Sequence, residues 1–263
     1  MISSLLALPE YDLAALTAAL RTRRLAAPFS AVAIERLLGH GVTAQCIEAI
    51  EELHRMCFSE ELIATALELV LQDRQRRPRM EDVIDLVTSG PEARGVTNRD
   101  TRVVVRELFA HAQASVLVAG YAVYQGQKVF EALAERMLAI PHLAVRMFLD
   151  IQRGPGDTSA PSELVRRFGH TFRNQQWPHD RPYPQLFYDP RSVAIAAPKR
   201  ASLHAKCIVV DNRAIFVSSA NFTEAAQERN LEIGLLIHSA SLAERLTRHF
   251  DTLLSEQLLQ PVG

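Results

Sequence analysis

Residues 203–232 read LHAKCIVVDNRAIFVSSANFTEAAQERNLE, an apolar, β-prone stretch that carries one histidine and one lysine near its start, His204 and Lys206. Neither belongs in a core, because burying an unpaired imidazolium or ammonium costs several kcal/mol. Their chemistry suits a reacting centre. A neutral imidazole is a competent nucleophile near pH 7, and a protonated one is a competent acid toward a leaving alkoxide. Residues 203–210 and 214–217 flank Asp211-Asn212-Arg213, a turn signal, and so predict a hairpin. With a side-chain period of two, His204 and Lys206 are expected on the same face of its first strand. Ser219 and Asn221 follow the second strand, and Asn230 and Glu232 open a third apolar run at 231–237.

Together His204, Lys206, Asp211, Ser219, Asn221 and Glu232 resemble the HKD signature of the phospholipase D superfamily. That signature runs His-x-Lys, four residues, Asp, then Gly-Ser-x-Asn after a strand, and a glutamate on the next strand. The spacings are similar to those of its single-motif, nuclease-like branch. One position departs: Ser218 stands where the family most often has glycine, which permits a closer backbone approach. The resemblance implies metal-independent phosphodiester cleavage, with no cofactor. One histidine would attack phosphorus to give a phosphohistidine; a second would protonate the leaving oxygen and then activate water. Lys206 and Asn221 would bind substrate through the non-bridging oxygens and offset their charge, a task that falls to Mg²⁺ in other phosphoryl-transfer sites. Ser219 would orient this group. Glu232 would hydrogen-bond the far ring nitrogen of a histidine and fix its tautomer, while Asp211 would be structural.

That mechanism needs two histidines, and the chain has one motif. His111, His142, His170 and His179 lack the rest of the constellation and read as surface or capping residues. A twofold homodimer in which each copy supplies one His204 is the simplest answer. More narrowly, the single motif resembles the small phospholipase D-like proteins encoded with DISARM restriction and anti-phage systems, which would add defence-system partner proteins.

The elements that must carry these residues follow from the rest of the chain. Its 263 residues, 48% hydrophobic and 22% charged, fit a soluble globular protein of one large or two modest domains. Net charge is −1, but unevenly spread: residues 1–95 hold ten basic and fourteen acidic groups, the remainder nineteen and sixteen. The mild excess of positive charge in the motif half suits a polyanionic substrate, and suits an ordinary solvated surface equally well. Three cysteines, Cys46, Cys57 and Cys207, form neither a disulfide framework nor a zinc spacing. With no secretory pattern and no apolar run long enough to span a bilayer, a cytoplasmic location without membrane contact is expected.

Residues 1–90 read as an N-terminal helical domain, with helices over 11–20, from Ser30 to 38, from Thr43 to 55, from Ser59 to 76, and over 79–87. The cluster Arg74, Arg76, Arg77 and Arg79 reads as a solvated helix end, with a phosphate contact as the alternative. A linker at 89–97 leads to a catalytic domain at 91–263. There a helix over 98–112 precedes strands at 115–121, 143–151 and 185–188, helices at 128–138 and 162–174, and a closing helix from Ser239 or Ser241 to 259. This order predicts an α/β fold, a phospholipase D-like mixed sheet flanked by helices on both faces. Between Arg153 and Arg200, the arginines Arg166, Arg167, Arg173, Arg181 and Arg191 are interleaved with Trp177 and Tyr183. They read as packing of a long loop, or alternatively as a track for single-stranded nucleic acid.

Taken together, a metal-independent phosphodiesterase acting on nucleic acid is the leading expectation. Phospholipid headgroup chemistry, as a phospholipase or phosphatidyltransferase, is one alternative. A non-catalytic nucleic-acid-binding subunit of a defence complex is the other.

Overall fold

The computed structural model describes residues 2–38, 44–77, 79–91, 97–195 and 201–263, and the chain divides into two compact units, Met1–Arg79 and Met80–Gly263. The first unit is helical: α1 (Ile2–Leu6), α2 (Glu10–Arg21), α3 (Ala31–Leu38), α4 (Ala44–Arg55) and α5 (Glu60–Arg76). Their apolar faces meet around Leu13, Leu16, Leu20, Ile34, Ile50 and Ile63. Ser59 caps α5, its side chain accepting the Leu62 N–H; the expected cap at Thr43 lies outside the described residues. Arg74, read from sequence as solvated, instead donates to the carbonyls of Leu8, at 2.6 Å, and Leu6. Arg77 pairs with Asp73 on the same helix.

The second unit runs α6 (Met80–Val83), β1 (Ile84–Ser89), β2 (Arg99–Asp100), α7 (Thr101–His111), β3 (Ser115–Gly120), β4 (Val123–Tyr124), α8 (Gly126–Val129), α9 (Glu131–Ala139), β5 (Ala144–Leu149) and α10 (Pro161–Thr171). It continues through a π-helical turn (Phe172–Gln176), β6 (Gln185–Tyr188), a 3₁₀ turn (Pro190–Val193), β7 (Cys207–Val210), β8 (Ala214–Ser218), β9 (Phe222–Thr223), α11 (Glu224–Glu228), β10 (Glu232–His238), α12 (Ala240–Ser255) and β11 (Gln260–Pro261). Among the described residues, nine strands form one mixed sheet in the order β11-β6-β5-β3-β7-β8-β10-β1-β2. Its middle is a parallel β3–β5 pair joined to the antiparallel run β3–β7–β8–β10.

The period of two sorts β3 between two cores. Val116 and Val118 join Val104, Val105, Phe109 and Leu133 beneath α7 and α9, whereas Leu117 and Ala119 join Ala243 and Phe250 beneath α12. Helices therefore cover both faces of a mixed α/β sheet, as the resemblance implied.

Two expectations are corrected. Residues 79–87, read as one helix, form the single turn α6 and then β1, which pairs antiparallel with β10 from Ile84↔Ile237 to Ser89↔Glu232. The β-branched Ile84, Val87 and Thr88 suit either state locally, and the ladder offered by β10 decides for the strand. The strand predicted at 203–210 is shorter, starting only at Cys207. Ahead of it, the Leu203 N–H is taken by the Asp150 side chain at 2.8 Å, and His204 and Lys206 lie just before the strand, where the Lys206 carbonyl accepts the Ser218 N–H at 3.1 Å. Parts of the expected linker (92–96) and of the loop with Pro198, Lys199 and Arg200 (196–200) lie outside the described residues.

Candidate active site

The hairpin works as its sequence demands. Asp211 and Asn212 both take the left-handed conformation, with φ of 53° and 50°, and the Arg213 N–H closes the turn on the Val210 carbonyl at 2.9 Å. The Asp211 carboxylate then gathers the N–H groups of Gln113, Ala114 and Ser115 at 2.7–2.9 Å. It locks β7 to the start of β3, at the sheet end remote from His204.

At the other end of β7, Lys206 Nζ lies 3.2 Å from His204 Nδ1 and 3.1 Å from the His204 carbonyl. Tyr121, the residue after β3, completes this group: its ring centroid is 4.4 Å from that of His204 and 5.4 Å from Lys206 Nζ. Burial pushes the Lys206 ammonium below lysine's ordinary range, and the nearby Glu232 carboxylate works against that shift. Cys207, the neighbouring nucleophile, is buried, and its thiol is pushed up to about 11. It therefore carries little thiolate at neutral pH.

Ser219 and Glu232 meet at the adjoining ends of β8 and β10. Ser219 Oγ donates to Glu232 Oε2 at 2.5 Å and accepts the Ile233 N–H at 3.2 Å. Asn230 Nδ2 reaches the other carboxylate oxygen at 3.4 Å. Among the described residues Glu232 bonds to these two side chains and makes no hydrogen bond to His204 within the chain. That expected contact is therefore not formed in the single chain. Among the described residues, Asn221 Oδ1 is buried without a hydrogen-bond partner, and so is Thr101 Oγ1; both residues line a cavity of about 10 Å³ with Lys206, room for roughly one water.

Ser218, the departure from the family pattern, is accommodated. It is not among the positive-φ residues. Its hydroxyl accepts the Ala220 N–H at 3.0 Å. The facing residue across the ladder is Gly234, where a Cβ would stand 2.8 Å from the Val217 carbonyl and 3.0 Å from Ser218 Cβ. The glycine needed for close approach is thus on the partner strand.

Three positioning residues had escaped the motif reading. Asp150 holds the His204 segment through the Leu203 N–H, and burial raises its carboxyl pKa. Ser89 Oγ lies 2.7 Å from the Ala226 carbonyl and 3.0 Å from that of Asn230, tying α11 and the start of β10 to β1. Tyr121 is the third. All three sit at strand ends far from the motif in sequence, where composition gives no signal.

The arginine–aromatic stretch packs. Trp177 is 2% exposed, stacks on Phe130 and Phe172, and donates to the Pro182 carbonyl. Arg173 lies over Tyr183, while Arg166, Arg167 and Arg191 pair with Glu163, Asp157 and Asp189. Three of the other histidines are engaged elsewhere: His111 with the Glu107 carbonyl, His170 with Asn174 and His179 with Gln127. No group of His, Cys, Asp and Glu among the described residues is arranged to hold a metal ion. No described helix is long and apolar enough to cross a membrane.

Comparison with known proteins gives the following. Residues 105–254 match the family model described as cardiolipin synthase, PLD-like domain. The DISARM protein DrmC of Bacillus paralicheniformis is 31% identical over 189 residues, covering 71% of this chain and 69% of DrmC. Among solved structures, the phospholipase D family member Nuc from Salmonella typhimurium is similar over 68% of this chain and 96% of its own, at 20% identity and a TM-score of 0.43. The phosphatidylserine synthase of Haemophilus influenzae is similar over 78% of this chain and 47% of its own, at 14% identity and a TM-score of 0.44.

Proposed function

The chain belongs to the phospholipase D-like family, and within it we propose that the protein is a phosphodiesterase of nucleic acid that works through a phosphohistidine on His204. One observation carries this reading: His204 and Lys206 converge to 3.2 Å at the sheet end where the Ser219–Glu232 pair also stands. A nucleophile, a fixed cation and a positioned carboxylate are thus gathered at one sheet end.

With Lys206 donating to Nδ1, the neutral ring carries its proton on Nε2 and offers no lone pair there. Attack on phosphorus needs the Nε2 lone pair. Arrival of a phosphodiester supplies the change, because its non-bridging oxygens are better acceptors for the Lys206 ammonium than an imidazole is. Nδ1 is then free to donate to a carboxylate, and Nε2 attacks. The Nε2–P bond forms as the P–O bond breaks, and the leaving oxygen takes its proton from a second imidazole. That imidazole, once neutral, removes a proton from the water that cleaves the phosphohistidine. Asn221 shares the phosphate oxygens with Lys206.

The second imidazole is His204 of a second copy. In support, one sheet face beside the site carries exposed Leu86, Val217, Leu231, Ile233 and Leu235, with Leu235 opposite both Leu86 and Val217 across the ladder. Such a row, on the sheet face opposite the Ser218 and Glu232 side chains, suits an isologous contact between copies. A carboxylate for Nδ1 then comes from Glu232 of either copy.

Likeness to the DISARM protein DrmC favours work in a defence-system context. Cleavage of labelled DNA and RNA in excess chelator, by wild type and His204→Ala, tests the reading. Phospholipid cleavage in its place would favour the lipid alternative.

A further inference from the structure

Beside His204 a groove of about 360 Å³ opens, lined on its floor by Val123, Leu149, Phe168 and Phe172. It lies within the usual range for a small-molecule pocket, roughly 300–1,000 Å³. Tyr121 belongs both to its wall and to the His204 group, with ring centroids 4.4 Å apart. Through Tyr121 the groove adjoins the His204 group.

Its chemistry is unlike that of the phosphate site. No described lining residue is lysine or arginine; the polar ones are Asp150, Gln152, Thr171, Gln175 and Gln176. Gln176 is partly spent, its Oε1 accepting the Gly126 N–H. At the rim Tyr124 is 64% exposed, a large aromatic held on the short strand β4 by pairing with Thr223. An apolar floor, amide and carboxyl groups, and an open aromatic face suit a flat, uncharged group with hydrogen-bonding edges. A phosphate would meet no cation there, and an acyl chain would strand the polar side chains.

We propose that this groove is a nucleobase subsite for the nucleotide adjoining the scissile phosphate, with the base stacked against Tyr124, and that the substrate is consequently single-stranded. A base inside a duplex has both faces covered and its pairing edge occupied, so only an unpaired one enters. This rests on the nuclease reading and adds to it the strandedness and the contact.

The test varies the substrate as well as the protein. Wild type and Tyr124→Ala are given a single-stranded oligonucleotide, the same strand annealed to its complement, and single strands in which one abasic residue is walked along the chain. Cuts are mapped by position. For the wild type, cleavage drops about tenfold or more at the phosphate on one side of the abasic residue, and the duplex is cut more slowly than the single strand. Tyr124→Ala cuts the intact strand with a similar loss and no longer distinguishes the abasic one. Wild-type cleavage indifferent to the missing base, or faster on duplex, overturns the subsite and leaves the nuclease reading standing. Failure to cut any nucleic acid, with phosphohistidine formed on another phosphodiester, overturns both.

Discussion

Lys206 Nζ stands 3.2 Å from His204 Nδ1, so the two side chains hold each other in the free chain. Under the proposed mechanism, the cation assigned to the phosphate oxygens is thus held by the proposed nucleophile, and substrate parts them. The consequences of that handover are measurable.

Lys206→Gln removes the charge that meets the phosphate while keeping a hydrogen-bonding head. Steady-state rates should fall about 10²–10³-fold, as for loss of one preorganised oxyanion donor. Lys206→Arg should recover part of this, since the guanidinium retains the charge but not the reach. Equal loss in both variants would mean that geometry, not charge, is what Lys206 supplies.

Burial lowers the Lys206 pKa from 10.5, and Glu232 opposes the shift. The ammonium is the working form, so kcat declines as pH rises through that pKa, placing the alkaline limb below pH 10.5. Removing the carboxylate charge in Glu232→Gln takes away the opposing influence and moves the limb to lower pH. A pH–rate profile of both proteins reads this directly; an unmoved limb would assign it to another group.

Ser219 and Glu232 act as a unit through their 2.5 Å hydrogen bond. Either Ser219→Ala or Glu232→Gln should slow cleavage, and the double variant should fall little further than the worse single one. Fully additive losses in a double-mutant cycle would separate their roles.

Asp211 is a matter of stability. It accepts three backbone N–H groups from a left-handed conformation that alanine dislikes. Asp211→Ala should cost about 2–4 kcal/mol in urea unfolding, and Asp211→Asn less. Both should keep near wild-type kcat where folded, because the carboxylate lies at the far end of β7 from His204.

Much of this was legible before the structure. The turn at Asp211-Asn212, the strand order around it and the cap at Ser59 rest on local rules, and each appears where the sequence put it. What was not legible depends on long-range partners. Residues 84–89 form a strand against β10 and β2, and the Leu203 N–H ahead of β7 goes to Asp150, far off in sequence. Tyr121, Ser89 and Asp150 reach the site by topology alone. The arginines at 166, 167 and 191 left a binding track open as the alternative to packing, because a sequence does not show that Glu163, Asp157 and Asp189 hold them.

Sharing of the site between two copies has its own signature. When equal amounts of wild type and His204→Ala are unfolded and refolded together, random pairing leaves wild-type homodimers as about one quarter of the dimers. Activity should fall to about that fraction of an all-wild-type sample. A fall to about one half would mean that each chain works alone. Leu235→Glu, on the exposed apolar face, should lose dimer and activity together in light scattering and assay.

Trapping of the covalent intermediate tests the central claim most directly. Wild type and His204→Ala are incubated with phosphate-labelled single- and double-stranded DNA and RNA in excess EDTA, then denatured at alkaline pH, and protein-bound label is counted. Cleavage in EDTA together with an alkali-stable, acid-labile adduct in the wild type, and neither in a folded His204→Ala, is the expected result. Cleavage by His204→Ala at the wild-type rate, or wild-type turnover with no adduct under any quench, would contradict it.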